Sequence, residues 1–218
     1  MPCRANLNGQ VDRLLCTMPR KPAPDALALF DALVYTCQYR LVIDPASHVS
    51  ARVMEWRQAL RERIGTFNEA YHMPGIVLFG AELPPEYERP LVDAVERGAA
   101  GFAPFPLGIG GLLHTEDRKC IHLDIQEKGT VAALRQRVVD HVRTNRRIRK
   151  LGVEVAERTM LVIASGLKAD QFDKAWSLLQ PLSFTAQQRV SDVVLMKREL
   201  DLSSIDEHVR TVALDPLG

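Results

Sequence analysis

Apolar and polar positions alternate along QYRLVIDP (Gln38 to Pro45), with Tyr39, Leu41 and Ile43 set against Arg40, Val42 and Asp44. Successive strand side chains point to opposite faces, so the pattern predicts a strand that Pro45 ends. The period then lengthens. Val53, Trp56, Leu60 and Ile64 recur at helical spacing with arginines between them, predicting an amphipathic helix over 50–66. The same switch occurs twice more. MPGIVLFG (Met73 to Gly80) predicts a buried strand followed by a helix over 85–97, and TMLVIASG (Thr159 to Gly166) predicts another strand followed by a helix over 169–179. Between these units, FAPFPLGIGGLLH (Phe102 to His114) reads as an irregular strand bent at its glycines, and KCIHLDI (Lys119 to Ile125) as a regular one. A helix over 130–145 places Leu134, Val138 and Val142 on one side. LSFTAQQRV and SDVVLMKREL read as two closing strands. Several strands follow one another directly, which favours an α+β fold over a doubly wound parallel sheet.

The two strand–helix units align without a gap. Gly75 falls on Met160, Val77 on Val162, Leu78 on Ile163, Tyr87 on Phe172, Leu91 on Trp176 and Ala94 on Leu179. The alignment predicts two similar sheet-and-helix lobes related by a pseudo-two-fold axis, with a cleft between them. The domain reading is an N-terminal extension over 1–35, a bilobal domain over 36–202 and a C-terminal tail over 203–218. Within the extension, PRKPAP is a proline-rich joint and DALALFDAL a short helix beginning at Asp25.

Composition adds limits. The chain of 218 residues is 46% hydrophobic and 25% charged with a net charge of +1, so no global field recruits a polyanion. The four cysteines, Cys3, Cys16, Cys37 and Cys120, have no CxxC spacing and are too sparse for a disulfide framework. Reduced thiols in a cytoplasm are expected. The first residues lack the apolar core of a signal peptide, and no apolar run approaches the roughly 18–20 residues of a membrane span, so no membrane partner is expected.

The order of elements from Gln38 to Leu200 resembles the two-histidine (2H) phosphoesterase superfamily, in its bacterial 2′-5′ RNA ligase-like branch. The resemblance runs through QYRLVIDP, PFPLGIGG, KCIHLDI, ASGLKADQFDKAW and SDVVLMKREL. It implies one His-x-Thr/Ser motif in each lobe. One histidine removes a proton and the other donates one, while the hydroxyls hold phosphate oxygens of a cyclic phosphodiester. At the matched positions this chain has Gly75 and Val77 in the first lobe and Met160 and Val162 in the second. None of the four offers a titratable proton or a strong donor. With no catalytic residue at these positions, the resemblance implies a catalytically degenerate protein that binds a nucleotide, an RNA end or a protein partner without hydrolysis. Val77, Met160 and Val162 are expected to close the cleft as a small apolar seam.

Other residues carry the remaining chemistry. His122 alternates with Cys120 and Asp124 on a strand that, in the resembled family, borders the cleft. Arg158 lies two positions before Met160, on the same face. His72 lies three before Gly75, which in a regular strand turns it away from the cleft. These three are the candidates for a rearranged phosphodiesterase site. Arg146, Arg147, Arg149 and Lys150 form a basic joint, read either as a solvated helix end or as an electrostatic lip for RNA. The cluster His114 to Asp117 lacks a recognised metal-ligand spacing, and GIGG (Gly108 to Gly111) is a bend rather than a phosphate loop, so neither metal nor cofactor is expected. A third reading is a structural module with a filled cleft, meeting a protein partner through the N-terminal extension.

Overall fold

The computed structural model describes residues 36–150, 152–199 and 205–215. The elements are β1 (Cys37–Ile43), α1 (Ser47–Ile64), β2 (Ile76–Leu83), a 3-10 turn (Pro85–Tyr87), α2 (Glu88–Ala99), β3 (Phe105–His114), β4 (Ile121–Ile125) and α3 (Lys128–Thr144). They continue with β5 (Val153–Val155), β6 (Met160–Ala164), α4 (Ala169–Leu179), β7 (Thr185–Val190), β8 (Asp192–Glu199) and β9 (Glu207–Ala213). The expected extension over 1–35, with its helix at Asp25, lies outside the described residues. No helix of the described residues is long and apolar enough to cross a membrane.

Among the described residues the strands form a five-stranded sheet, β5-β2-β1-β8-β9, and a four-stranded sheet, β6-β4-β3-β7. Every pairing is antiparallel. The class is α+β, as the direct succession of strands implies. The repeat is visible in the strand order: β2-β1-β8-β9 in one sheet corresponds to β6-β4-β3-β7 in the other. The agreement reaches the register. β1 slips against β2 between Leu41 and Val42, and β4 slips against β6 between Ile121 and His122. Val42 then sits opposite Val77, and His122 opposite Val162. Bulges commonly bend a strand beside a site. A third shift, in β3 between Gly110 and Leu112, brackets Gly111, whose φ of 75° suits glycine, so the GIGG bend is a bulge.

The helices are exchanged between the two halves. α1 follows β1 of the first sheet but packs on α4 and on β6 of the second. α3 follows β4 of the second sheet but packs on α2 and on β2 and β5 of the first. Each sheet is thus covered by one helix of its own half and one borrowed from the other.

The two expected closing strands are β7 and β8; they belong to different sheets, because β7 pairs with β3 and β8 with β1 across the single residue Ser191. Two features depart from the sequence expectation. Residues 207–213, placed in a tail by the domain reading, form β9 against β8, where Val212 is buried. The basic joint is followed by β5, a three-residue strand that pairs with β2.

The contact between α2 and α3 leaves no room for a methyl group. A Cβ on Gly98 would lie 2.6 Å from the Cα of Val138, a backbone atom that cannot swing away. Alanine is the better helix former by about 1 kcal/mol, but overpacking a core costs about 1–3 kcal/mol. Gly98→Ala is therefore expected to lower the urea midpoint. A midpoint raised by helix propensity would show that the helices do not approach so closely.

Candidate functional site

A cleft of about 380 Å³ opens between the start of β2 and β6. The four positions matched to the family motifs, Gly75, Val77, Met160 and Val162, all line it. Each is half-buried rather than core. The expected apolar seam is therefore not closed: polar and charged side chains from four other segments also line the space between the strands. They are Arg40 of β1, Arg57 of α1, Glu69 and His72 of the loop before β2, and Glu157 and Arg158 of the turn before β6.

Arg57 sits at the base of this arrangement and is only 2% exposed. Its Nε donates to the carbonyl of Ile163 at 3.0 Å and its Nη2 to that of Val162 at 2.7 Å. Its Nη1 donates to the carbonyl of His72 at 2.6 Å. One side chain therefore fixes β6 and the entry to β2 at the same time. Burial lowers the guanidinium's pKa to about 10, so it stays cationic near neutral pH. Glu69 is also committed: its carboxylate accepts from the Ser165 amide at 2.6 Å and the Ser165 hydroxyl at 2.7 Å. Arg40 is held by Asp206 at 2.5 Å.

His72 faces the cleft, contrary to the odd-offset argument. Strand geometry begins only at Ile76, so the alternation does not extend back through Pro74. The ring lies between arginines. Arg198 Nη1 is 2.5 Å from His72 Nε2, and a guanidinium can only donate, so Nε2 is the acceptor. Burial first, then the charges of Arg40 and Arg198, hold the imidazole below its ordinary pKa. The neutral ring's accepting nitrogen is thus already occupied.

Arg158 is exposed and lines both this cleft and an adjoining cavity of about 520 Å³. His122 belongs to that second cavity, not to the first. It is 9% exposed, and burial is the main cause of its lowered pKa. The basic residues Arg146, Arg147, Arg149 and Lys150 are exposed on the turn after α3 and line neither cavity. Among them Ile148 is buried and anchors the turn. Charged cleft residues absent from the sequence candidates are Arg40, Arg57, Glu69 and Glu157. Arg57 had a signal: it continues the stripe Val53, Leu60, Ile64 at helical spacing, so it falls on the buried face.

A family model described as the 2′-5′ RNA ligase superfamily matches residues 45–202. The chain belongs to the 2′-5′ RNA ligase superfamily. Solved structures with the same fold include E. coli LigT complexed with ATP, at a TM-score of 0.55 and 13% identity over 82% of this chain and 98% of LigT. E. coli LigT complexed with 3′-AMP gives 0.53 and 14% identity over the same shares. TT0787 of Thermus thermophilus gives 0.55 and 14% identity over 81% of this chain and 97% of its own. No curated protein sequence matches the chain. Within this superfamily fold, the cleft between β2 and β6 is the place where the two repeats converge.

His72 and His122 both have lowered folded-state pKa values, so the unfolded chain binds more protons as acid is added. Stability is full above the unfolded value of about 6.5 and declines as pH falls from there through the folded values. A His72→Gln/His122→Gln variant is expected to show a flatter urea midpoint as pH falls below about 6.5; an unchanged slope would show that other groups carry it. Introducing the residues that the resemblance implies should be uneven. Met160→His and Val162→Thr enter open space and should leave the midpoint near the parent's. Gly75→His should lower it, because its Cβ would lie 3.1 Å from Val42 Cβ, and overpacking costs about 1–3 kcal/mol. Equal midpoints for both variants would contradict this picture of the site.

Proposed function

We propose that this superfamily member keeps the bilobal cleft as a binding site for a phosphorylated nucleotide or RNA end and does not hydrolyse it. The observation that carries the reading is the convergence of Gly75, Val77, Met160 and Val162 on one open cleft. In the resembled family these positions supply two imidazoles and two hydroxyls. Here they supply a hydrogen atom, two isopropyl groups and a thioether, none of them a proton donor or a base.

The charged groups around them do not supply the missing chemistry. Arg57, Glu69 and Arg40 have hydrogen-bonded partners. His72, the one imidazole lining the cleft, has its accepting nitrogen against Arg198. A general base needs a free lone pair within reach of the proton it takes. Arg158 and Glu157 remain, both exposed: Arg158 is a cation suited to attracting a phosphate but not to moving a proton, and Glu157 is a lone carboxylate with no free acid or base facing it among the described cleft residues. A structural module would require a filled cleft, and about 380 Å³ of space argues against that. The LigT structures complexed with ATP and 3′-AMP make nucleotides the first ligands to test.

A general acid or base contributes roughly 10²–10⁴ in rate. Turnover of 2′,3′-cyclic nucleotides is therefore expected to be at least about a hundredfold below that of a relative with both motifs intact, measured side by side. Nucleotide binding in the cleft should weaken on Arg158→Gln. Turnover within about tenfold of the relative would overturn the reading and point to a rearranged site at His72.

A further inference from the structure

The exchanged helices carry the same pattern. Val53, Trp56, Arg57, Leu60 and Ile64 of α1 match Val131, Leu134, Arg135, Val138 and Val142 of α3 at identical spacing. Arg57 and Arg135 therefore hold equivalent places in the repeat, and both are buried, at 2% and 7% exposed. Their surroundings differ. Arg57 makes three bonds to backbone carbonyls. Arg135 donates once, from Nη2 to the Thr159 hydroxyl at 2.6 Å, and its buried Nε has no partner. Among the described residues no carboxylate forms an ion pair with it.

A buried guanidinium with one neutral hydrogen bond is an uncompensated charge, and such charges are kept where something pairs with them. Arg135 lines the second cavity, of about 520 Å³. The carboxylates there do not answer it: Asp124 is paired with Lys128 at 2.6 Å, while Glu116 and Glu157 are exposed. A second buried group in the same wall also lacks a partner, the Nδ1 of His122. Arg158 and Thr159 complete a set of donors.

We propose that the cavity between α3 and the four-stranded sheet is an oxyanion site that holds a phosphate group against Arg135, with Arg158 and Thr159 as further donors. A guanidinium binds phosphate through paired, charge-assisted hydrogen bonds, and these replace the missing counter-charge. The volume exceeds that of a bare phosphate, which fits a phosphorylated small molecule. The site is distinct from the β2–β6 cleft and does not depend on whether that cleft is catalytic, although the two share Glu157, Arg158 and Met160.

The test uses the full chain and inorganic phosphate at constant ionic strength, with binding read by calorimetry and by melting temperature. Phosphate should bind and raise the melting temperature of the parent. Arg135→Gln should weaken binding by about tenfold or more, the loss of one charge-assisted contact. Arg158→Gln changes an exposed residue and should also weaken binding, which keeps the test informative if the Arg135 variant folds poorly. Arg63→Gln, at the exposed end of α1 and lining neither cavity, should leave phosphate affinity unchanged. Three results would overturn the proposal: no binding by the parent, parental affinity in both the Arg135 and Arg158 variants, or a loss in Arg63→Gln equal to that in Arg135→Gln. A lower melting temperature for Arg135→Gln with phosphate affinity retained would also overturn it, by making Arg135 structural.

Discussion

Three hydrogen bonds from one guanidinium set the geometry on which the site depends. Arg57 leaves α1, passes under the cleft and binds two consecutive carbonyls of β6 and one in the approach to β2. Each such bond to a charged donor contributes roughly 1.5–3 kcal/mol, and the buried charge makes all of them necessary, since an unpaired one costs several. The spacing between Gly75 and Val77 on one side and Met160 and Val162 on the other is therefore specified by electrostatics rather than by apolar packing. This is why the cleft stays open although three of its four central residues are hydrophobic. Hydrocarbon side chains cannot pull together two strands that a buried cation holds in fixed register.

The equivalent residue in the other repeat shows what happens without those carbonyls. Arg135 occupies the same place on α3 as Arg57 on α1, but it ends at a side-chain hydroxyl and a cavity. The fold thus holds two copies of one device, one closed on itself and one with donors left over. The asymmetry runs through the molecule. The positions beside the matched bulges are Val42 in one sheet and His122 in the other. Polar chemistry has gathered in the second cavity, while the cleft between the repeats is lined at its centre by groups that carry none.

The strand and helix periods were legible because burial enforces them. Tyr39, Leu41 and Ile43 alternate and are buried, and Val53, Trp56 and Leu60 form the inner stripe of α1. The strand–helix repeat was legible for the same reason, and it led to the family resemblance. What period cannot show is partnership. Ser191 separates two strands that pair in different sheets, and nothing in TAQQRV or DVVLMKRE marks the division. The three residues of β5 are too few to establish a period. His72 was misplaced because alternation was extended past the point where the strand begins. Arg57 was read as a polar position between apolar ones and Arg135 was not singled out, although their spacing puts both on the buried stripes. A charged residue in register with a core is evidence of a partner, and the partners here are backbone groups remote in sequence.

The trading of helices between halves bears on how such a fold arises and assembles. Neither sheet is completed by a contiguous stretch of chain, since α1 serves the sheet that holds β6 and α3 serves the one that holds β2. A fragment carrying β3, β4, α3, β6 and α4 would have a helix with no sheet to cover and a sheet short of a helix. Two such fragments could satisfy each other only by reciprocal exchange, which is the geometry of a domain-swapped dimer. The single chain has the connectivity that such a dimer would have with its halves joined, and its native contacts join residues far apart in sequence. Folding is then expected to be slow and all-or-none, as topology of high contact order dictates, and the two lobes have no independent existence to drift apart. Once the halves share one chain they are free to diverge, and a change in one Arg-bearing helix need not be repeated in the other.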